Sequence, residues 1–165
     1  MDYDGAERLF VPFIRGNKER FYLLAYSYTK NEQDALDIVQ DSIQKALQSL
    51  HRLQYEEQLK SWFYKIVVNT ALDFLRKQKR VHVMEEGQLE FFTPSQQDQY
   101  ENPDLEVALE QLPTMYREVV ILRYFEDLKI QDIAHILNVN INTVKSRLYK
   151  ALTLLKIQLQ GEEMF

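Results

Sequence analysis

The sequence predicts an all-α protein made of two small helical domains, with a flexible acidic linker between them. Apolar side chains recur at helical spacing through residues 5–80 and again through 105–157. Residues 83–104 lose that period, with Gly87, Pro94, Pro103 and a polar run at Ser95–Asp98. Charge is divided along the same boundaries. Residues 1–58 carry net −3, 59–82 net +5, 83–112 net −8 with no basic group, and 113–165 net +1. The expected division is therefore 1–82, a linker at 83–104, and 105–165. A chain of 165 residues is long enough for two such domains.

The net charge of −5 argues against a nucleic-acid binder until it is resolved into these blocks. Cysteine is absent, so disulfides, zinc ribbons and thiol chemistry are excluded. Met1-Asp2-Tyr3-Asp4 is acidic where a signal peptide would be basic. No apolar run reaches the roughly 18 residues of a membrane span. These features lead us to expect a soluble, cytoplasmic protein without direct membrane insertion.

In the first domain, Phe10, Phe13, Phe21, Leu24, Ala25 and Tyr28 supply one packing face, with Gly16-Asn17 as the expected interruption. A second helix follows, its stripe being Ala35, Ile38, Val39, Ser42, Ile43, Ala46, Leu47 and Leu50. Asn31 is its expected N-cap, and Glu32 and Asp34 suit the positive end of the helix dipole. The third helix buries Leu59, Trp62, Phe63, Ile66, Val67, Thr70, Ala71, Phe74 and Leu75, and ends in Arg76-Lys77-Gln78-Lys79-Arg80. Within the linker, Leu89-Glu90-Phe91-Phe92 reads as one short apolar anchor. Beyond it, 105–112 and 113–126 read as two helices, with Pro113 at a first helical position.

Residues 129–157, KIQDIAHILNVNINTVKSRLYKALTLLKI, read as a helix-turn-helix. Ile130, Ile133, Ala134 and Leu137 face inward, and Ala134 is small enough for a close crossing. Asn138 falls in the turn, where a left-handed conformation is needed and Asn tolerates it. Val139 packs back and Asn140 caps the second helix. Val144, Leu148, Ala151, Leu152 and Leu155 form its buried stripe. Asn142, Thr143, Lys145, Ser146, Arg147, Tyr149 and Lys150 lie opposite, a set suited to phosphates and base edges in a major groove. An ordinary helical hairpin with a solvated basic face is the alternative.

Arg76, Lys77, Lys79 and Arg80 have a plain explanation, because a helix C-terminus favours cations. Trp62, Tyr64 and Asn69 on the same helix add aromatic and amide groups, a mixture suited to melted DNA whose bases can stack. Trp62 also reads as core. The acidic set Asp34, Asp37, Gln40, Asp41 and Gln44 suits a solvated bundle face or, more sharply, a carboxylate metal site. His51, His82 and His135 stand in no metal-ligand spacing, and no phosphate loop or nucleophile motif occurs. No metal, cofactor, small-molecule ligand or catalysis is expected.

Three segments in order then resemble the extracytoplasmic-function (ECF) sigma factors, the smallest members of the sigma-70 family. DALDIVQDSIQKAL (34–47) is similar to their polymerase-binding helix in region 2. LKSWFYKIVVNTALDFLRKQKR (59–80) is similar to the segment that melts and reads the minus-ten element. LEQLPTMYREVVILRYFEDLKIQDIAHILNVNINTVKSRLYKAL (109–152) is similar to region 4, which binds the minus-thirty-five element. Within the family, DFLRKQKR and the FEDLK turn look most like sigma-V-type members.

The resemblance implies that Asp34, Asp37, Ile38, Val39, Gln40 and Asp41 dock on RNA polymerase core at the β′ clamp, with the β subunit a further contact. It implies that Lys45, Ser49, Leu53 and Asn69 cradle a flipped base of the minus-ten element. Lys145, Ser146, Tyr149 and Lys150 would contact the minus-thirty-five element. Lysine at 145 and 150 departs from the family's frequent arginine and gives a point charge where arginine gives a fork. The acidic loop Gln54–Gln58 lacks the frequent glycine, a departure that bears on promoter choice. Extended, residues 83–104 reach at most about 70 Å, enough for two elements roughly 50–55 Å apart on B-DNA.

The expected function is thus a sigma factor serving an envelope-stress regulon. Its expected partners are polymerase core, promoter DNA and a membrane-anchored anti-sigma protein that would hold it near the membrane. The alternative is a stand-alone helix-turn-helix regulator with residues 1–80 as a ligand or dimer domain. A second DNA-reading segment at 59–80, preceded by an acidic docking helix, favours the first.

Overall fold

The computed structural model describes residues 2–84 and 103–163, and the apolar segment at 89–92 and most of the expected linker lie outside them. Among the described residues there are seven α-helices and no strand. The chain divides into two compact units, residues 1–95 and 96–165.

The first unit is a three-helix bundle of α1 (Tyr3–Thr29), α2 (Glu32–Gln48) and α3 (Leu59–Met84), with two short 3₁₀ turns, Leu50–Arg52 and Glu56–Gln58, between α2 and α3. Each of the three helices packs on the other two. The centre is aromatic: Phe21 lies 4.7 Å from Phe63 and 5.4 Å from Tyr64, in edge-on arrangements, and Phe10 meets Phe63 at 5.6 Å. Such tilted pairs set the electropositive ring edge against a neighbouring face. Asp2 caps α1 by accepting from the Gly5 amide at 2.8 Å, and Lys30 ends it in the left-handed region.

The expected interruption at Gly16-Asn17 does not occur; α1 runs through it, and through Pro12. Gly16 is exposed on an open side, while Phe10, Ile14, Phe21 and Leu24 on the other side are buried. Burying a large apolar side chain gains roughly 1.5–3 kcal/mol, which outweighs the penalty of about 1 kcal/mol for a helical glycine. Asn17 follows the helix too, donating from Nδ2 to the Phe13 carbonyl at 2.8 Å. In α2, Leu47 of the expected stripe is exposed and Ile43 half-buried, since both sit at the stripe's edges.

The second unit holds α4 (Pro103–Gln111), α5 (Thr114–Val120), a π turn at Ile121–Phe125, α6 (Ile130–Leu137) and α7 (Ile141–Glu163). Pro113 is the cap of α5 rather than its first residue, with φ −54° and ψ 148°. Its carbonyl accepts from the Tyr116 and Arg117 amides. The single helix expected over 113–126 is instead α5 followed by the π turn, which closes with the Glu126 amide donating to the Ile121 carbonyl at 2.9 Å. The buried guanidinium of Arg117 donates to the Leu112 carbonyl at 3.0 Å and the Glu110 carbonyl at 3.3 Å. It thereby serves backbone carbonyls at the point where α4 ends.

The turn between α6 and α7 matches its sequence reading. Asn138 is left-handed (φ 56°, ψ 46°), and the Val139 amide returns to the Ala134 carbonyl at 3.0 Å. Asn140 Oδ1 accepts from the Thr143 amide at 2.8 Å. Two packing assignments change. Ile136 is buried although it was not expected to be, and Leu152 is exposed. Val144, Leu148, Ala151 and Leu155 step round one line of α7, and Leu152 falls to its flank.

Gly16→Ala should stabilise the first unit by about 0.5–1 kcal/mol, because a Cβ there meets nothing within 4 Å. Urea unfolding followed by Trp62 fluorescence measures it, and a lower midpoint would mean that α1 does need a break at this point.

Candidate functional site

The docking face expected on α2 divides into what is outside and what is inside. Asp37, Gln40 and Asp41 are exposed, and Asp34 is half-buried. Ile38 at 2% and Val39 at 8% exposure are bundle residues instead. Helical spacing puts them on the stripe with Ala35 and Ser42, so they shape the face from beneath and offer a partner almost no area. Leu36, 52% exposed, was missed. It stands off the buried stripe among the acids, which is its sequence signal. Leu36, Gln40 and Ile43 join Lys18 and Tyr22 of α1 around a groove of about 630 Å³.

The electrostatics of this face are set at its N-terminal end. Asn31 Oδ1 accepts from the Asp34 amide at 2.9 Å, fixing the first turn. Burial, and then the neighbouring Asp37 charge, push the Asp34 carboxyl above the usual carboxylate range. Gln33 Nε2 donates to Asp37 Oδ1 at 3.0 Å.

At the seam of α2 and α3, Lys45 and Asn69 are exposed and Ser49 is half-buried. Leu53 is 1% exposed and belongs to the core, because the 3₁₀ turn at Leu50–Arg52 folds it inward; it cannot touch a base directly. Lys45 Nζ donates to Thr70 Oγ1 of α3 at 3.1 Å. Thr70 was missed as anything but core, since the sequence does not reveal a bond between two helices. Trp62 is half-buried, edge-on to Phe10 at 6.3 Å, so the core and surface readings of it each hold in part. Tyr64 is fully buried against Phe21 and is not available to nucleic acid. At the basic end, Arg76 pairs with Asp73 at 2.8 Å, while Lys77, Lys79 and Arg80 are exposed.

On α7, Lys145, Ser146, Tyr149 and Lys150 share one outer surface with Thr153, around a shallow depression of about 560 Å³. Tyr149 is 78% exposed and Asn142 is also outside. Thr143 is half-buried and its hydroxyl donates to Asn140 Oδ1 at 2.9 Å, which commits it to the cap. Arg147 is half-buried on the flank. Lys150 Nζ sits 5.5 Å from the centroid of Tyr116, a cation–π contact. Tyr116 was also missed, because it lies on α5, far from α7 in sequence. Among the described residues no three His, Asp or Glu converge as a metal site, and no helix is long and apolar enough to cross a membrane.

Residues 13–81 match the model of Sigma-70 region 2, and residues 104–155 match Sigma-70 region 4. The chain belongs to the sigma-70 family. Among its relatives is the RNA polymerase sigma factor SigV of Bacillus subtilis, 53% identical with 96% of each chain covered. The ECF sigma factor SigW of the same organism is 27% identical, covering 94% of this chain and 91% of the relative. In a solved structure, the sigma factor RpoE of Bartonella quintana in complex with the anti-sigma factor NepR matches with a TM-score of 0.75 and 26% identity, over 90% of this chain and 97% of that one. As an ECF sigma factor the chain is a promoter-recognition subunit of RNA polymerase, and the stand-alone regulator is not favoured.

Asp34→Asn tests the electrostatics of the α2 face. With the folded-state pKa raised, the ionised carboxylate is the costly form, so the substitution should raise the unfolding midpoint at pH 7. The gain should shrink as pH falls through the Asp34 pKa, where the parent takes up its proton. A gain that persists undiminished in acid would assign it to something other than charge.

Proposed function

We propose that this sigma factor docks on polymerase core through Asp37, Gln40, Asp41 and the exposed Leu36 of α2. The α2–α3 seam, with Lys45, Ser49 and Asn69 outside and Leu53 as its floor, would hold a base of the opened minus-ten strand. Lys77, Lys79 and Arg80, with the exposed part of Trp62, would follow that strand's backbone and bases. Asn142, Lys145, Ser146, Tyr149 and Lys150 of α7 would enter the major groove of the minus-thirty-five element, with Arg147 at the rim.

The observation that carries this reading is the separation of faces within each helix. α2 and α7 each bury one side in their own unit and leave a polar side of definite charge, acidic on α2 and basic on α7. The protein would have no catalysis of its own and would work in the cytoplasm. For control, the Bartonella relative's complex with an anti-sigma factor supports a similar inhibitor here, covering 34–50 and part of 141–157. Membrane anchoring of that inhibitor and an envelope-stress regulon complete the proposal.

Run-off transcription by purified core polymerase, with and without the protein, tests the whole reading. Asp37→Arg combined with Asp41→Arg should abolish retention on immobilised core while Trp62 fluorescence reports a folded bundle. Equal retention of variant and parent would move the docking face elsewhere.

The α7 assignment has its own measure. Lys145→Ala should weaken duplex binding by about 1–3 kcal/mol, and selectively at one base pair, if the ammonium touches a base. If it touches phosphate alone, the loss should be uniform across sequences and the salt slope should fall by about one. No loss on any duplex would remove Lys145 from the interface.

A further inference from the structure

The bond between Lys45 and Thr70 has a forced direction. An ammonium only donates, and Thr70 has a single hydroxyl proton, which goes to the Ile66 carbonyl of its own helix at 2.7 Å. The Thr70 oxygen therefore has only lone pairs to offer, and Lys45 Nζ donates to one at 3.1 Å. Thr70 is buried, so that oxygen is a fixed point set in the wall of α3. Lys45 lies on the exposed side of α2 and keeps two further N–H donors.

Arg76, also on α3, is held by the carboxylate of Asp73 at 2.8 Å, which offsets its charge. Thr70 is neutral, so it orients Lys45 and leaves the positive charge available to another group. Ser42 is a second buried hydroxyl, but it donates to Ile38 of its own helix at 2.6 Å, and among the described residues it holds no side chain of a neighbouring helix. Lysine is a long and flexible side chain with a compact charge, and tethering its tip removes much of the freedom that binding would otherwise cost. Asn69, beside Thr70 in the chain, is exposed. The backbone of α3 thus links the amide of one residue to the ammonium held by the next.

We propose that Thr70 is a positioning residue that holds the Lys45 ammonium ready at the α2–α3 seam for the opened DNA strand. This rests on the reading of that seam as the minus-ten site. The tether acts when single-stranded DNA enters, so it affects opening and leaves core docking and duplex binding by α7 unchanged.

The test uses the full chain with core polymerase on a promoter that the parent opens, read by permanganate reactivity of unpaired thymines. Thr70→Val keeps the shape and removes the acceptor. It should slow opening by about tenfold, the scale of one hydrogen bond to a charged group. Thr70→Ser keeps the hydroxyl and should open at nearly the parental rate. In a Lys45→Ala background, which is itself slow, adding Thr70→Val should cost nothing more. If the valine's second methyl disturbs the bundle, Thr70→Ala provides the same comparison with Thr70→Ser. Parental opening by Thr70→Val alongside a slow Lys45→Ala would overturn the tether and leave the seam reading intact. Additive losses in the double variant would make Thr70 a packing residue only. Parental opening by both Lys45→Ala and Asn69→Ala would overturn the seam reading, and the tether with it.

Discussion

The edge-on stack of Phe21 against Phe63 is the contact on which the first unit depends. It joins α1 to α3 at the centre of the bundle, and Phe10, Phe13 and Tyr64 extend it on either side. Once α1 and α3 are held together, α2 has one way to lie, with Ala35, Ile38, Val39, Ser42 and Ala46 turned inward. The outward faces of α2 follow from that constraint. The acids of α2 face out because its apolar stripe faces in, and Lys45 meets Thr70 because α2 lies close along α3. Loss of the stack would therefore be felt at the acidic side of α2 and at the Lys45–Thr70 contact, although neither touches the Phe21–Phe63 pair.

The second unit solves the same problem with less apolar material. One cluster of its core gathers Ala108, Leu109, Leu112, Val120, Ala151 and Leu155 around α7, and Ile121, Leu122, Ile133, Ile136 and Val144 are buried as well. Hydrogen bonds to backbone carbonyls supplement it where helices stop. Arg117 serves the end of α4, and Arg123 donates to the Leu128 carbonyl at 2.9 Å beyond the π turn. Asn138 and Asn140 do the equivalent at the α6–α7 turn through backbone conformation and a side-chain cap. α7 is thereby held at its beginning and along one side, with its basic side outward.

Features that depend on local chemistry were legible in the sequence. Asn31, Asn138 and Asn140 were read correctly because caps and left-handed turns involve neighbours a few residues away. The helical stripes were read correctly at their centres and less well at their edges, where Leu47 and Leu152 turn out exposed. The site was harder. Positions carried over from the family's pattern included Ile38, Val39 and Leu53, whose side chains point inward, because matching a sequence position does not distinguish a contact from the layer supporting it. Thr70 and Tyr116 were not read because they act on a side chain of another helix, Lys45 in one case and Lys150 in the other. Gly16 was misread because its local preference was judged without the apolar face opposite.

The π turn at Ile121–Phe125 bears on how this chain can differ in length from its kin. A π turn contains one residue more than the α turn it replaces, and such turns are rare and usually confined to a single winding. The surplus residue is accommodated as a local widening, after which the Leu128 amide reaches back to the Leu122 carbonyl at 3.0 Å and α6 begins at Ile130. A relative one residue shorter in this stretch can wind it as ordinary α-helix and keep α6 and α7 in the same mutual arrangement. Removing one residue within 121–125 would return the turn to ordinary α-helix and leave the helix-turn-helix on its C-terminal side in register.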